Sequence, residues 1–197
     1  MMNFGELEKI NNIDDNRFEI SSNSCRLHAG ARKDFFCRPD GSPPILNAPG
    51  LAMRVSEPVF SLSAKVTVEF SAKFDAGALL VRTQAGTWAK LAYEYSQLLI
   101  PTIVTVITKD LSDDANGEES DAPSMHLRIY REHDLFAFHW SPDGVAWKLV
   151  RVFALPTDNL PVSFCYVAQS PIGGGCTATF EDVKTSTRRI DDLRSGD

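Results

Sequence analysis

The chain has 197 residues, of which 43% are hydrophobic and 23% charged, and its formal net charge is −6. That length and balance suit one globular domain able to bury its own core without disulfide or metal support, and they exclude a wholly disordered chain. The acidic excess, with no Lys/Arg run longer than two, counts against a nucleic-acid partner, and no segment approaches the roughly 18 to 20 apolar residues that span a bilayer.

Residues 1–17 are polar and acidic and read as an N-terminal tail. They lack the apolar core and basic start of a secretory signal, so a cytoplasmic location is the default expectation. A sandwich domain is expected over 18–186, with a short helix or tail over 187–197. "FCRPDGSPPILNAPG" is rich in Pro and Gly and reads as a long ordered loop wrapping a sheet edge, where Pro cannot join a ladder. Residues 60–70 then alternate without a slip: Phe60, Leu62, Ala64, Val66, Val68 and Phe70 face one side, and Ser61, Ser63, Lys65, Thr67 and Glu69 the other. That period predicts a strand with one wet face. Further strands are predicted at 26–29, 78–83, 87–95, 102–109, 124–131, 134–141, 146–155, 162–169 and 176–184. Between the fourth and fifth of these, "SDDANGEESDAPS" (112–124) reads as a mobile acidic loop.

Many short strands with no helical pattern between them predict an all-β fold, a two-sheet antiparallel jelly-roll β-sandwich. Its core is expected at Phe60, Val66, Leu127, Ile129, Phe136 and Phe138. "GALLV", "TIVTVI" and "VSFCYVA" are apolar on both sides, so one sheet has a second covered face, under loops or as the floor of a groove. "FHWSPDGVAW" looks at first like the S-x-D-x-G-x-x-W box of sialidase propellers. Here Asp143 and Gly144 are adjacent and the box occurs once, so it reads as a hairpin, with Pro142 fixing φ, Gly144 supplying a positive φ, and Trp140 meeting Trp147 across the turn.

The order of these pieces resembles a concanavalin A-like lectin/glucanase-fold family of unknown function that includes the fungal regulation-of-enolase protein. The resemblance is carried by F-D-A-G at 74–77, W-x-K-x-x-x-E at Trp88, Lys90 and Glu94, Ser112–Asp113, and the S-x-D-G-x-x-W hairpin. It implies the jelly roll, and no activity.

Period two places Trp88, Lys90, Ala92 and Glu94 on one strand face. An indole, an ammonium and a carboxylate on one surface suit a carbohydrate or related small polar ligand, bound without chemistry and with no cofactor. Taken alone, the strand is better read as a Lys90–Glu94 ion pair beside a Trp packed under a loop. Asp75, Ser112 and Asp113 join the candidates through the family motifs, and Asp34 and Gln169 complete the set. A protein-interaction or regulatory module is the alternative reading. A glycoside hydrolase ranks third, because the single-strand E-x-D-x-E type of carboxylate cluster is absent. A calcium loop at 112–123 fails because Pro123 stands where a bidentate Glu is needed. His28, His126, His133 and His139 show no ligand spacing, and Cys25, Cys37, Cys165 and Cys176 read as free thiols.

Overall fold

The computed structural model describes residues 3–12 and 16–197. In chain order the strands are β1 (Glu8–Ile10), β2 (Arg17–Ile20), β3 (Cys25–Gly30), β4 (Phe35–Phe36), β5 (Ile45–Leu46), β6 (Gly50–Val55), β7 (Val59–Glu69) and β8 (Ala76–Arg82). They continue as β9 (Trp88–Tyr95), β10 (Pro101–Thr108), β11 (Ser112–Glu119), β12 (Ser124–Glu132), β13 (Leu135–Ser141), β14 (Lys148–Ala154), β15 (Val162–Gln169) and β16 (Gly175–Ser186). Two seven-stranded sheets result, ordered β1-β6-β15-β8-β9-β10-β11 and β14-β13-β12-β7-β16-β3-β2, while β4 and β5 form a separate small hairpin. This is the expected all-β sandwich of two antiparallel sheets.

The sheets enclose one core. Phe60, Leu62, Ala64 and Val66 of β7 meet Leu79, Val81, Leu91 and Tyr93 of the facing sheet, with Leu127, Ile129, Phe136 and Phe138 beside them. The strict alternation of β7 is therefore what pins its register, since a one-residue slip would turn every apolar side chain to water. A second cluster lies on the outer face of the first sheet. There Ala76, Ala78, Leu80, Trp88, Ala92, Val104, Val106, Cys165 and Val167 are covered by Phe35 and Ala48. This is why strands β8, β9, β10 and β15 are apolar on both sides: each contributes alternate residues to two different cores.

Several expectations are corrected. Residues 4–10 of the expected 1–17 tail are not free, because Phe4 is 1% exposed against Tyr166 and β1 pairs with β6 at the sheet edge, while residues 1–2 and 13–15 lie outside the described residues. The expected acidic loop is β11, an edge strand laddered to β10 from Thr108↔Ser112 to Thr102↔Glu119 with one register shift. It reads as a loop in sequence because only its β10 side is covered, and Asp113 to Glu119 are all exposed. The Pro-rich segment covers the outer face of the first sheet, where the chain at Phe35 and Ala48 packs on the second cluster, and it is also fastened to the edge strand β11: Cys37 N–H donates to Ser112 Oγ at 2.9 Å, and Ser112 N–H donates to the Cys37 carbonyl at 2.7 Å. Of the two alternatives for residues 187–197, a short helix or a tail, the helix is absent.

The hairpin over Ser141 to Ala146 forms as expected, with Gly144 at φ 72. Asp143 Oδ1 accepts from Ser141 Oγ and from the backbone N–H groups of Val145 and Ala146. The tryptophans do not pair across it, because register places Lys148 opposite Trp140. Each indole takes a cation instead, Lys148 over Trp140 at 4.5 Å and Arg128 over Trp147 at 4.3 Å. All four cysteines are free thiols.

Candidate functional site

Cross-strand register lays the outer face of the first sheet out in rows. One row runs Ser163, Arg82, Trp88, Thr108, Ser112; the next Cys165, Leu80, Lys90, Val106, Asp114; the last Gln169, Ala76, Glu94, Thr102. Lys90, Glu94 and Gln169 therefore converge because of strand pairing, although Gln169 is remote from the other two in the chain. They form the floor of a cavity of about 290 Å³ whose walls include Asp34, Phe36, Phe74, Val104, Val106, Asp114, Asn116 and Ile172.

The floor is a connected polar group set in an apolar sheet face. Lys90 is 2% exposed. Its Nζ donates to the Phe35 carbonyl at 3.0 Å and to Gln169 Oε1 at 2.7 Å, and lies 3.7 Å from Asp34 Oδ1. An ammonium so desolvated is tolerated only when its protons all meet acceptors. Gln169 relays the network: its Nε2 donates to Glu94 Oε2 at 3.3 Å and to the Phe74 carbonyl at 3.2 Å. Glu94 is 8% exposed and lines the cavity. Its carboxyl is pushed up to about 7, chiefly by burial; Lys90 opposes the rise, and Asp34 and Asp114 add to it.

The other sequence-selected residues take different parts. Trp88 is 3% exposed, packs edge-on to Phe35 with centroids 6.1 Å apart, and does not line the cavity. It is the packed Trp of the plainer strand reading, although the ion pair of Lys90 is with Asp34 rather than Glu94. Asp75 is fully buried and fully used: it accepts from Ser71 N–H and Oγ, Ala72 N–H and Ser170 Oγ, the last at 2.6 Å. Ser112 fastens the covering segment. Asp113 points away and pairs with Arg151 at 2.9 Å.

Phe36, Phe74, Asp114 and Asn116 were not among the sequence candidates. Asp114 and Asn116 had a signal, because they alternate along the segment read as a loop. Phe74 had one in the F-D-A-G block: its φ of 68 is the left-handed region, costly for a bulky residue and frequent at functional turns. Asp75 stabilises that turn from beneath, which presents Phe74 at the cavity wall. Among the described residues, no group of three or more His, Cys, Asp or Glu is placed to hold a metal ion, and no helix is long and apolar enough to cross a membrane.

Comparison with known proteins places the fold. A functionally unknown protein from Saccharomyces cerevisiae superimposes with a TM-score of 0.84 at 19% identity, over 95% of this chain and 100% of that one. The GH43 BlXynB protein from Bacillus licheniformis matches with a TM-score of 0.64 at 13% identity, over 84% of this chain and 33% of that one, so the chain spans about a third of that protein's length. Lectin I-B4 from Griffonia simplicifolia, in its metal-free form, matches at 0.51 and 12% identity, over 82% and 92% of the two chains. At such identities the likeness is one of fold. No curated protein matches the chain. Residues 12–188 match the family described as protein of unknown function DUF1349, and the chain belongs to that family.

Proposed function

We propose that this protein is a non-catalytic binding module whose outer-face cavity holds a carbohydrate or a related small polar molecule. The observation that carries the reading is the floor itself: a buried Lys90–Gln169–Glu94 chain, closed by Asp34, at the base of an accessible hollow with aromatic walls. A few oriented polar groups in a mostly apolar concavity are the usual make-up of a small-molecule site. The similarity to a lectin and to GH43 proteins supports the sugar class without identifying the sugar. The contact residues are Glu94, Asp114, Asn116, Phe36 and Phe74, with Lys90, Gln169 and Asp34 fixing the floor. Asp75, Ser112 and Trp88 support the frame.

A ligand that binds only the folded state raises its stability, by about 2.7 kcal/mol at a hundredfold excess over Kd. Melting scans against neutral sugars, sugar phosphates and amino sugars should therefore show a rise of several degrees for one class. Asp114→Ala with Asn116→Ala, both exposed on β11, should cancel that rise while leaving the ligand-free melting temperature nearly unchanged. A flat response across all classes would remove the reading.

A second reading, a protein-interaction module of the enolase-regulator kind, is favoured by the exposed apolar residues Leu98 (66%), Leu99 (51%) and Ile172 (62%). Ile172 lines the cavity, and Leu98 follows the lining residue Gln97. Specific co-purification of one protein, lost on Leu98→Ser with Ile172→Ser, would favour it.

A further inference from the structure

The ammonium of the cavity floor is already committed. Lys90 directs its protons at the Phe35 carbonyl, Gln169 Oε1 and Asp34, and the charge of Asp34 is matched to it at 3.7 Å. Glu94 and Asp114, the other carboxylates lining the hollow, form no ion pair among the described residues, although Lys90 acts on Glu94 through space. Glu94 receives one hydrogen bond, on Oε2 from Gln169, and its Oε1 has no hydrogen-bond partner among the described residues. Asp114, on the edge strand β11 with β10 between it and β9, makes no ion pair among the described residues and lines the same cavity. The opposing group is Arg38, exposed on the covering segment and likewise without an ion pair among the described residues, so its guanidinium is free to stay in water. The hollow thus offers acceptors and negative charge together with the rings of Phe36 and Phe74, a kind of surface that also favours a cation.

We propose that the ligand selected by this cavity is cationic: a small polyhydroxylated molecule bearing an ammonium group, of the amino-sugar class, with the ammonium received by Glu94 and the charge of Asp114 adding to the negative field of the hollow. The inference rests on the binding reading above and specifies the charge of what is bound. Burial of Glu94 adds a consequence. Its carboxyl titrates near neutrality, raised by desolvation and by Asp34 and Asp114 against Lys90. An incoming ammonium favours the ionised form, so binding takes up the cation and releases a proton. Affinity then falls as the solution is acidified through that range.

A C6 series separates charge from shape. The full chain is titrated calorimetrically, slightly above neutral pH, with 6-amino-6-deoxy-D-glucose, D-glucose and D-glucuronate, which present a cation, a hydroxyl and an anion on one ring. The amino sugar is expected to bind about tenfold or more tighter than glucose, a step that one good charge-assisted contact supplies. Glucuronate is expected to bind weakest. Glu94→Gln and the surface variant Asp114→Asn should each shrink the preference for the amino sugar, whereas Arg38→Gln should preserve or enlarge it. Equal affinity for all three, or preference for glucuronate, would overturn the cationic assignment and leave the binding reading standing. Binding of none would overturn both. If Glu94→Gln unfolds, Asp114→Asn decides alone, because its side chain is exposed and outside either core.

Discussion

Glu94 is where the chemistry of the cavity meets the stability of the fold. Its carboxyl lies near 4.5 in the unfolded chain and is pushed up to about 7 in the folded one. Between those values the folded state binds the extra proton, so stability from this group is present at low pH and is lost as pH rises, by at most about 3 kcal/mol. Glu94→Gln keeps the acceptor and the shape but cannot ionise. Urea unfolding from acid to mildly alkaline pH should find the variant and the parent alike below about pH 4 and the variant relatively more stable above neutrality. Parallel profiles would mean that Glu94 is not desolvated in solution. The W-x-K-x-x-x-E spacing placed Lys90 and Glu94 on one face correctly. Their burial was not legible, because it depends on the segment around Phe35 folding back over them from elsewhere in the chain.

The F-D-A-G stretch shows how an element-level constraint combines several residues. Phe74 takes the left-handed conformation, Asp75 collects the loop's donors, and Gly77 allows the two sheets to approach: a Cβ there would lie 2.7 Å from Val66 Cγ1 and 2.9 Å from the Ala178 Cβ. Val66 and Ala178 belong to well-packed central strands, so neither has space to withdraw. Gly77→Ala should destabilise the protein by about 1 to 3 kcal/mol through overpacking, read as a lower urea midpoint at unchanged slope; an unchanged or higher midpoint would refute the close approach. Sequence reading found nine strands besides β7 because their alternation or β-branched runs are local signals. It passed over β1, β2, β4, β5, β6 and β11, of which β4 and β5 are two-residue pieces in and beside the Pro-rich segment. Strands β1 and β2 are short edge pieces, β6 follows a Pro-rich stretch that reads as loop, and β11 consists of residues with poor strand propensity held by pairing with β10.

Across the whole molecule the two outer faces differ. The first sheet carries the covered cavity, and the second is crossed by the C-terminal segment. There Arg128 Nη2 donates to the Gly196 carbonyl at 2.8 Å, and the fully buried His139 bonds through Nε2 to the Leu193 carbonyl at 2.7 Å. Burial, with a smaller contribution from Arg128, pushes His139 down to about 4. Gly196 sits at φ 78, where an added Cβ would approach Arg128 Nη2 to 2.4 Å and Trp147 Cβ to 2.8 Å. Gly196→Ala should therefore release this segment alone: hydrogen exchange at 193–196 should accelerate while strands β12 and β13 keep their protection. Unchanged exchange would show that the docking tolerates a side chain.

The sequence by itself determined the class of the protein. Alternation fixes which residues of each strand face inward, two-sided apolar strands announce a second covered face, and both are properties of neighbouring residues. The tertiary structure decided everything that depends on residues distant in the chain. Sheet order brought Gln169 beside Lys90 and Glu94, the covering segment turned Trp88 from a ligand platform into packing, and pairing with β10 made a strand of the acidic run and set Asp114 at the cavity while sending Asp113 to Arg151. A side chain's direction is local, but what it meets there is set by strand pairing and burial, which no short stretch of sequence contains.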